Sequence, residues 1–244
     1  MRCDGRAPGQ MRRVRIIPHY TKYAEGSVLI EMGDTHVLCN ATAEKKVPDF
    51  LLDSGKGWVT AEYAMLPRAT GTRNRRDISN LKLASRSAEI QRLVGRSLRS
   101  VTDLTALDGY TITVDCDVIQ ADGGTRCAAV TGGYVALWIA CRKLLSEGMI
   151  PRMPLTAQVA AVSCGVVDDE VLLDLCYRED SRAAVDANVV CSSLGGIVEL
   201  QGTGEKRPYT KEELKSILRL AERGLKRLFA AQKRITDREC ERCE

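Results

Sequence analysis

The sequence predicts a mixed fold of strands and helices in one domain, built twice on the same plan: a group of strands, then one long helix. Three observations predict it. Runs such as GSVLIEM (26–32) and YTITVDCDVIQ (110–120) alternate apolar and polar residues with a period of two, as half-buried strands do. Long segments with helical apolar spacing follow them, at 125–147 and again after Thr210. No stretch of linker composition divides the 244 residues, a length ample for a sizeable core.

In chain order, residues 1–11 form an extended arm carrying Arg2, Arg6 and, just beyond it, Arg12. Alternation makes 13–20 a strand. Residues 26–32 and 35–44 pair as a hairpin about Gly33-Asp34, a standard turn dipeptide. A loop at 47–55 leads to a strand at 58–66, ended by Pro67. A helix over 81–101 places Leu83, Ile90, Leu93, Val94, Leu98 and Val101 in one stripe, with Arg92, Arg96 and Arg99 on the solvated side. The strand at 110–120 turns Asp115 and Asp117 to its polar face and feeds the helix at 125–147. Strands are expected at 155–166, 170–177, 185–191 and 196–200, then a loop at 201–207. Thr210 and Glu213 make a capping box that opens the last helix. The domain spans 1–235, and 236–244 is a charged, disordered tail.

Composition narrows the function classes. Net charge is only +4, but arginines cluster at 2–15 and 68–99 while acids gather at 168–186. Six of the ten cysteines lie inside apolar strand or helix patterns, the habit of reduced, buried thiols, so the compartment is read as the cytoplasm. No signal peptide is visible in the charged N-terminus, and no apolar run is long enough to span a bilayer. A single CxxC at Cys240 and Cys243 lacks the further ligands zinc needs. His19 and His36 sit in strand patterns without a readable nucleophile partner, and no Walker-type phosphate loop is present.

The stretch QADGGTRCAAVTGGYVALWIACRKLL (120–145) reads as a strand end, a Gly-Gly turn and a long apolar helix. Free N–H groups in a first helical turn bind anions, and Arg126 beside them can fork onto a phosphate. The plain alternative is a strand-to-helix turn with a solvated Arg126. The segment PRATGTRNRRD (67–77) crowds Arg68, Arg73, Arg75 and Arg76 without any lysine, which favours phosphate-backbone contact over a merely solvated loop. Arg86 falls within the apolar stripe of its helix and needs a partner, either Glu89 one turn on or a bound phosphate. Asp180 and Asp186 flank SRAAV. Paired acids supply a general acid or hold a divalent cation, although acids are also common in surface turns. Two cationic contacts and two carboxylates together are what phosphoryl transfer requires.

Seven segments, nearly end to end, resemble the ribonuclease PH family: RCDGRAPGQMR (2–12), EGSVLIEMGDTHVLCNATAE (25–44), GWVTAEYAMLPRATGTRNRRD (57–77), EIQRLVGRSLR (89–99), CDVIQADGGTRCAAVTGG (116–133), LCYREDSRAAVDAN (175–188) and VELQGTGE (198–205). The resemblance implies an α+β fold of the ribosomal protein S5 domain 2-like type, with mixed sheets and long packed helices. It implies a phosphorolytic 3′→5′ exoribonuclease that uses inorganic phosphate to trim precursor tRNA 3′ ends and releases nucleoside diphosphates. Arg86, Gly124, Thr125 and Arg126 would bind phosphate; Asp180 and Asp186 would be the catalytic or Mg²⁺-binding carboxylates; Arg68, Arg73 and Arg76 would contact RNA. A homo-hexameric ring, a trimer of dimers, is implied, with no membrane partner. One departure is Ala187, where the family usually has Met and where a small packing gap is expected. A reading of another class is a binding-only RNA ring subunit. The joint presence of Arg86, Thr125, Arg126, Asp180 and Asp186 favours the enzyme.

Overall fold

The computed structural model describes residues 2–76 and 84–241. Strands β1 (Val14–Pro18), β2 (Gly26–Met32), β3 (Thr35–Glu44), β4 (Trp58–Met65) and β5 (Thr111–Gln120) form one sheet in the order β1-β2-β3-β5-β4. All pairs are antiparallel except β4 with β5. Strands β6 (Val159–Val167), β7 (Glu170–Leu173), β8 (Val185–Ser192) and β9 (Ile197–Gly204) form a second, antiparallel sheet in the order β7-β6-β8-β9. The helices are α1 (Ser85–Arg99), α2 (Thr125–Ser146), the one-turn α3 (Tyr177–Asp180) and α4 (Lys211–Glu241). This is an α+β fold.

Helix α2 is the shared core. It packs on β2 and β3 of the first sheet and on β6 of the second, and sixteen of its 22 residues are buried. Contrary to the expectation that no apolar run is long enough, its length and apolarity would suit a membrane span, yet 78% of the apolar window is enclosed by the protein itself. Close packing on the first sheet requires Gly26, because a Cβ there would overlap the Ala136 carbonyl of α2. Every residue of β6 is buried, since α2 covers one face and α4 the other. That double cover explains why VAAVSCGVV is a continuous apolar run rather than an alternating one. Gln232 of α4, fully buried, donates to the carbonyls of Thr131 (3.0 Å) and Val159 (2.9 Å) and so links all three layers. The β6–β7 turn places Asp168 and Asp169 at φ 50° and 60°, the left-handed pair a two-residue hairpin favours.

Several boundaries differ from expectation. The capping box forms, with Glu213 N–H donating to Thr210 Oγ1 (3.1 Å) and Thr210 N–H to Glu213 Oε2 (2.7 Å). The helix then runs to Glu241, so most of the expected disordered tail is ordered. Its end docks on the β1 side, where Glu239 is buried and its Oε2 lies 2.7 Å from His19 Nε2. His19 itself lies just past β1 with φ 54°. The loop expected at 201–207 is strand through Gly204, because Gln201 and Thr203 pair with Asn188 and Asp186. The strand expected to reach Tyr177 ends at Leu173, where Asp174 takes φ 55°. A 3-10 turn at Leu104–Leu107 was not anticipated. Leu83 and the expected start of α1 lie outside the described residues. Arg99 is not on a solvated face: its guanidinium stacks 4.3 Å over the Trp58 ring and donates to Val59 O (2.7 Å).

The N-terminal arm is a clamp between the two halves. Arg2, buried, forks onto Glu179 (2.8 and 2.7 Å) and donates to the carbonyls of Leu173 and Asp174. Arg12, also buried, pairs with the fully buried Asp174 (2.7 Å). Burial pushes the Glu179 carboxyl up, but the Arg2 fork more than reverses this and holds it below its ordinary value. Replacing Arg2 with Ala leaves Glu179 buried with Arg6 at 3.5 Å as its nearest cation and the Cys176 N–H (3.1 Å) as its remaining hydrogen-bond donor among the described residues. Removing one partner of a buried pair costs about 3–5 kcal/mol, read as a lowered denaturation midpoint. An unchanged midpoint would show that the clamp contributes nothing.

Candidate active site

The site is organised by the turn between β5 and α2. Gly123 and Gly124 take φ 76° and 69°. A Cβ on Gly123 would come within 2.7 Å of Leu175 O and 2.9 Å of Tyr177 N, so only glycine lets the α3 segment approach this turn. The turn's carbonyls are claimed: Arg12 donates to Asp122 O (2.5 Å), and Thr35 Oγ1 donates to Gly123 O (2.7 Å). The first helical bond runs from Ala128 N–H to Gly124 O (3.0 Å). The N–H groups of Thr125, Arg126 and Cys127 are therefore unclaimed by the helix, at the positive end of its dipole.

Around that N-terminus stand two guanidiniums and two carboxylates. Arg126 gives Nη1 to Gln201 Oε1 of β9 (2.7 Å) and Glu89 Oε1 of α1 (3.2 Å). Among the described residues its Nε and Nη2 take no partner, so one nitrogen is anchored and the rest of the fork can meet an anion. Arg86 is exposed in the first turn of α1 and has no hydrogen bond or ion pair among the described residues. Its expected burial is corrected. The apolar stripe of α1 is covered by β4 only from Ile90 onward, and Glu89, its expected partner, binds Arg126 instead.

Asp180 closes α3 and Asp186 is the second residue of β8, opposite Gly165 and Thr203. Burial pushes the Asp186 carboxyl up to about 6, repulsion from Asp180 adds to this, and Arg126 and Arg86 oppose it. Burial likewise raises Asp180, against the pull of Arg86 and Arg126. These four charges, from four elements, thus act on one another across one cleft. Gly124 and Thr125 share it through the helix N-terminus.

The basic loop stands beside this cleft rather than in it. Its root is fixed, because Ala69 is buried and Ala121 N–H donates to Ala69 O (2.8 Å) next to the Gly123 turn. Arg68 reaches only Gly71 O (3.4 Å) among the described residues, and Arg73 is exposed. Arg76 lines a cavity of about 700 Å³ together with Arg86, Glu62, Asp115 and Asp117. Asp115 and Asp117 are therefore half-buried, not fully solvated, and burial raises both carboxyls. This cavity shares Arg86 with the cleft but not Asp180 or Asp186.

Sequence reading missed Gln201 and Tyr63. Gln201 lay in a segment taken for a loop. Tyr63, whose hydroxyl lies 2.8 Å from Thr125 Oγ1, looks like any inward residue of an alternating strand. Ala187 is buried between Cys164 and Gly202 in register. One cluster has the spacing of metal ligands among the described residues: Cys3, Cys176 and Glu179. Arg2 occupies both oxygens of Glu179, so its charge opposes a cation there.

An α+β frame with an anion-ready helix N-terminus, two guanidiniums and two half-buried carboxylates has the groups that phosphoryl transfer requires. Residues 10–143 match the 3′ exoribonuclease family, domain 1, and residues 157–224 match its domain 2. The chain is 54% identical to Ribonuclease PH of Moorella thermoacetica over 96% of this chain and 94% of that one. The fold superposes on rice Rrp46 with a TM-score of 0.72, 26% identity and 97% of each chain covered. It also superposes on a chain of the Archaeoglobus fulgidus exosome with RNA bound to the active site (TM-score 0.78, 22% identity, 95% of this chain and 90% of that one). The chain belongs to the 3′ exoribonuclease family.

Proposed function

We propose that this protein shortens RNA from the 3′ end by phosphorolysis, acting on precursor tRNA. The observation that carries the reading is the pairing of an open guanidinium fork on Arg126 with unclaimed helix N–H groups, within electrostatic reach of Asp180 and Asp186. In the reaction, an oxygen of inorganic phosphate attacks the phosphorus of the last phosphodiester. The bond from phosphorus to O3′ breaks. The terminal residue leaves as a nucleoside diphosphate, and O3′ of the shortened RNA takes up a proton.

Arg86, Arg126, Thr125 and the N–H groups after Gly124 hold the attacking phosphate and offset its charge as it approaches a charged diester. Arg68, Arg73 and Arg76 guide the RNA backbone, which makes affinity fall with salt. Asp180 and Asp186 are hard oxygen donors whose mutual repulsion a divalent cation would relieve, so the pair fits Mg²⁺. When bound, Mg²⁺ supplies a positive charge that steadies the leaving oxygen. The assembly is a homo-hexamer, a trimer of dimers. The compartment is the reducing cytoplasm, in keeping with nine free cysteines among the described residues.

The test is to incubate the protein with a 3′-extended tRNA and Mg²⁺, with or without phosphate, and identify the released nucleotide. Diphosphates that appear only with phosphate are expected. Monophosphates would keep the nuclease and overturn the phosphorolytic mechanism, and RNA binding without release would favour the binding-only subunit.

A further inference from the structure

Tyr63 is the sixth residue of β4, and its side chain is buried. Its hydroxyl lies 2.8 Å from Thr125 Oγ1, in the first turn of α2, and has no other partner among the described residues. A buried hydroxyl left with an unshared proton is costly, so a phenol with one neighbour donates to it. The surroundings agree. Burial holds the Tyr63 phenol above its ordinary value, against the pull of Thr125, Arg86 and Arg126, so it remains a protonated donor at neutral pH.

Accepting this bond leaves the Thr125 hydroxyl with its own proton to give. Within a helix, Thr commonly donates back to the carbonyl one turn earlier. Thr125 opens its helix, where no helical carbonyl precedes it, and takes no such bond among the described residues. Gly124 before it and Arg126 after it are the two neighbours of the anion-ready turn. We propose that Tyr63 is a positioning residue for the attacking phosphate: by donating to Thr125 Oγ1 it commits the Thr125 proton to the anion held at the start of α2. This rests on the phosphorolytic reading above.

Tyr63→Phe removes only the hydroxyl and keeps the ring in the core. The KM for phosphate is expected to rise about five- to tenfold, less than the loss of a whole hydrogen bond to a charged ligand, because Thr125 keeps its hydroxyl. The kcat at saturating phosphate and the KM for RNA are expected to stay within about twofold. Thr125→Val should raise the phosphate KM more. In that background Tyr63→Phe should add nothing further, because the proton it directs is already gone.

A general loosening of the core would instead lower kcat, or raise both KM values together. Either result overturns the proposal, as does an effect that adds fully to that of Thr125→Val. The product separates the two readings. Diphosphate release with an unmoved phosphate KM in Tyr63→Phe removes this inference alone. Monophosphate release by the unaltered protein removes the phosphorolytic reading and this inference with it.

Discussion

Replacing Asp186 with Asn is expected to cut turnover by about 100- to 10,000-fold, the range for loss of a catalytic carboxylate, with little loss of RNA affinity. The same change should make the protein more stable at neutral pH. An unfolded Asp keeps its ordinary value of 3.8, whereas burial in the fold, with Asp180 adding, pushes Asp186 up to about 6. Below both values the folded and unfolded forms hold the proton alike. Between them the folded form holds it more tightly, and above about 6 the charged carboxylate opposes folding. Asn removes that opposition, a gain of about 3 kcal/mol at pH 8 without divalent cation. Thermal melting beside single-turnover assays checks both halves. Higher stability with lost activity marks a charge kept for chemistry at the expense of the fold. A fully active Asn variant would remove Asp186 from the mechanism. The pH profile of the unaltered enzyme adds a sign. Activity is expected to fall as pH drops through about 6, because the carboxylate works charged. A profile that falls as pH rises through that value would make Asp186 the proton donor instead.

Replacing Arg126 with Ala is expected to raise the KM for phosphate by about 100-fold, since charge-assisted bonds to an anion are each worth about 1.5–3 kcal/mol and each 1.4 kcal/mol is tenfold. The arginine is only partly committed within the fold. Nη1 is tied to Gln201 and Glu89, and the remaining donors take no partner among the described residues. RNA affinity should change by less than about twofold at fixed salt, because the proposed backbone contacts fall to Arg68, Arg73 and Arg76 on a separate loop. Phosphate titrations at fixed RNA, and RNA titrations at saturating phosphate, separate the two. An equal loss in both would move Arg126 from the phosphate site to the RNA track. An unmoved phosphate KM would leave the helix N-terminus without its assigned ligand.

Most elements were legible because they rest on local rules. The β2–β3 hairpin follows from Gly33-Asp34 between two alternating strands, and α4 begins where its capping box begins. The Gly-Gly turn was legible as well, and both glycines take the positive φ it needs. The N-terminal arginines were not. Arg2, Arg6 and Arg12 read as an extended arm, and they are instead sealed against Asp174 and Glu179, more than 160 residues away. Arg86 erred in the other direction. Wheel geometry assigns a face to every residue of a helix, but says nothing of where the covering sheet stops.

The sequence by itself determined the local chemistry of this protein: which segments are strands or helices, which turn can bind an anion, and which arginines and aspartates are available to act. These depend on backbone freedom, capping and apolar period, all short-range. Only the tertiary structure decided which charges meet. Arg86 from α1, Arg126 from α2, Asp180 from α3 and Asp186 from β8 feel one another because the two sheets close on the same buried helix. Only that closure, through desolvation, raises Asp186 to about 6 and brings Gln201 to Arg126, and only the long-range pairing of β4 with β5 brings Tyr63 to Thr125. Burial and long-range pairing belong to the folded whole, and no window of sequence contains them.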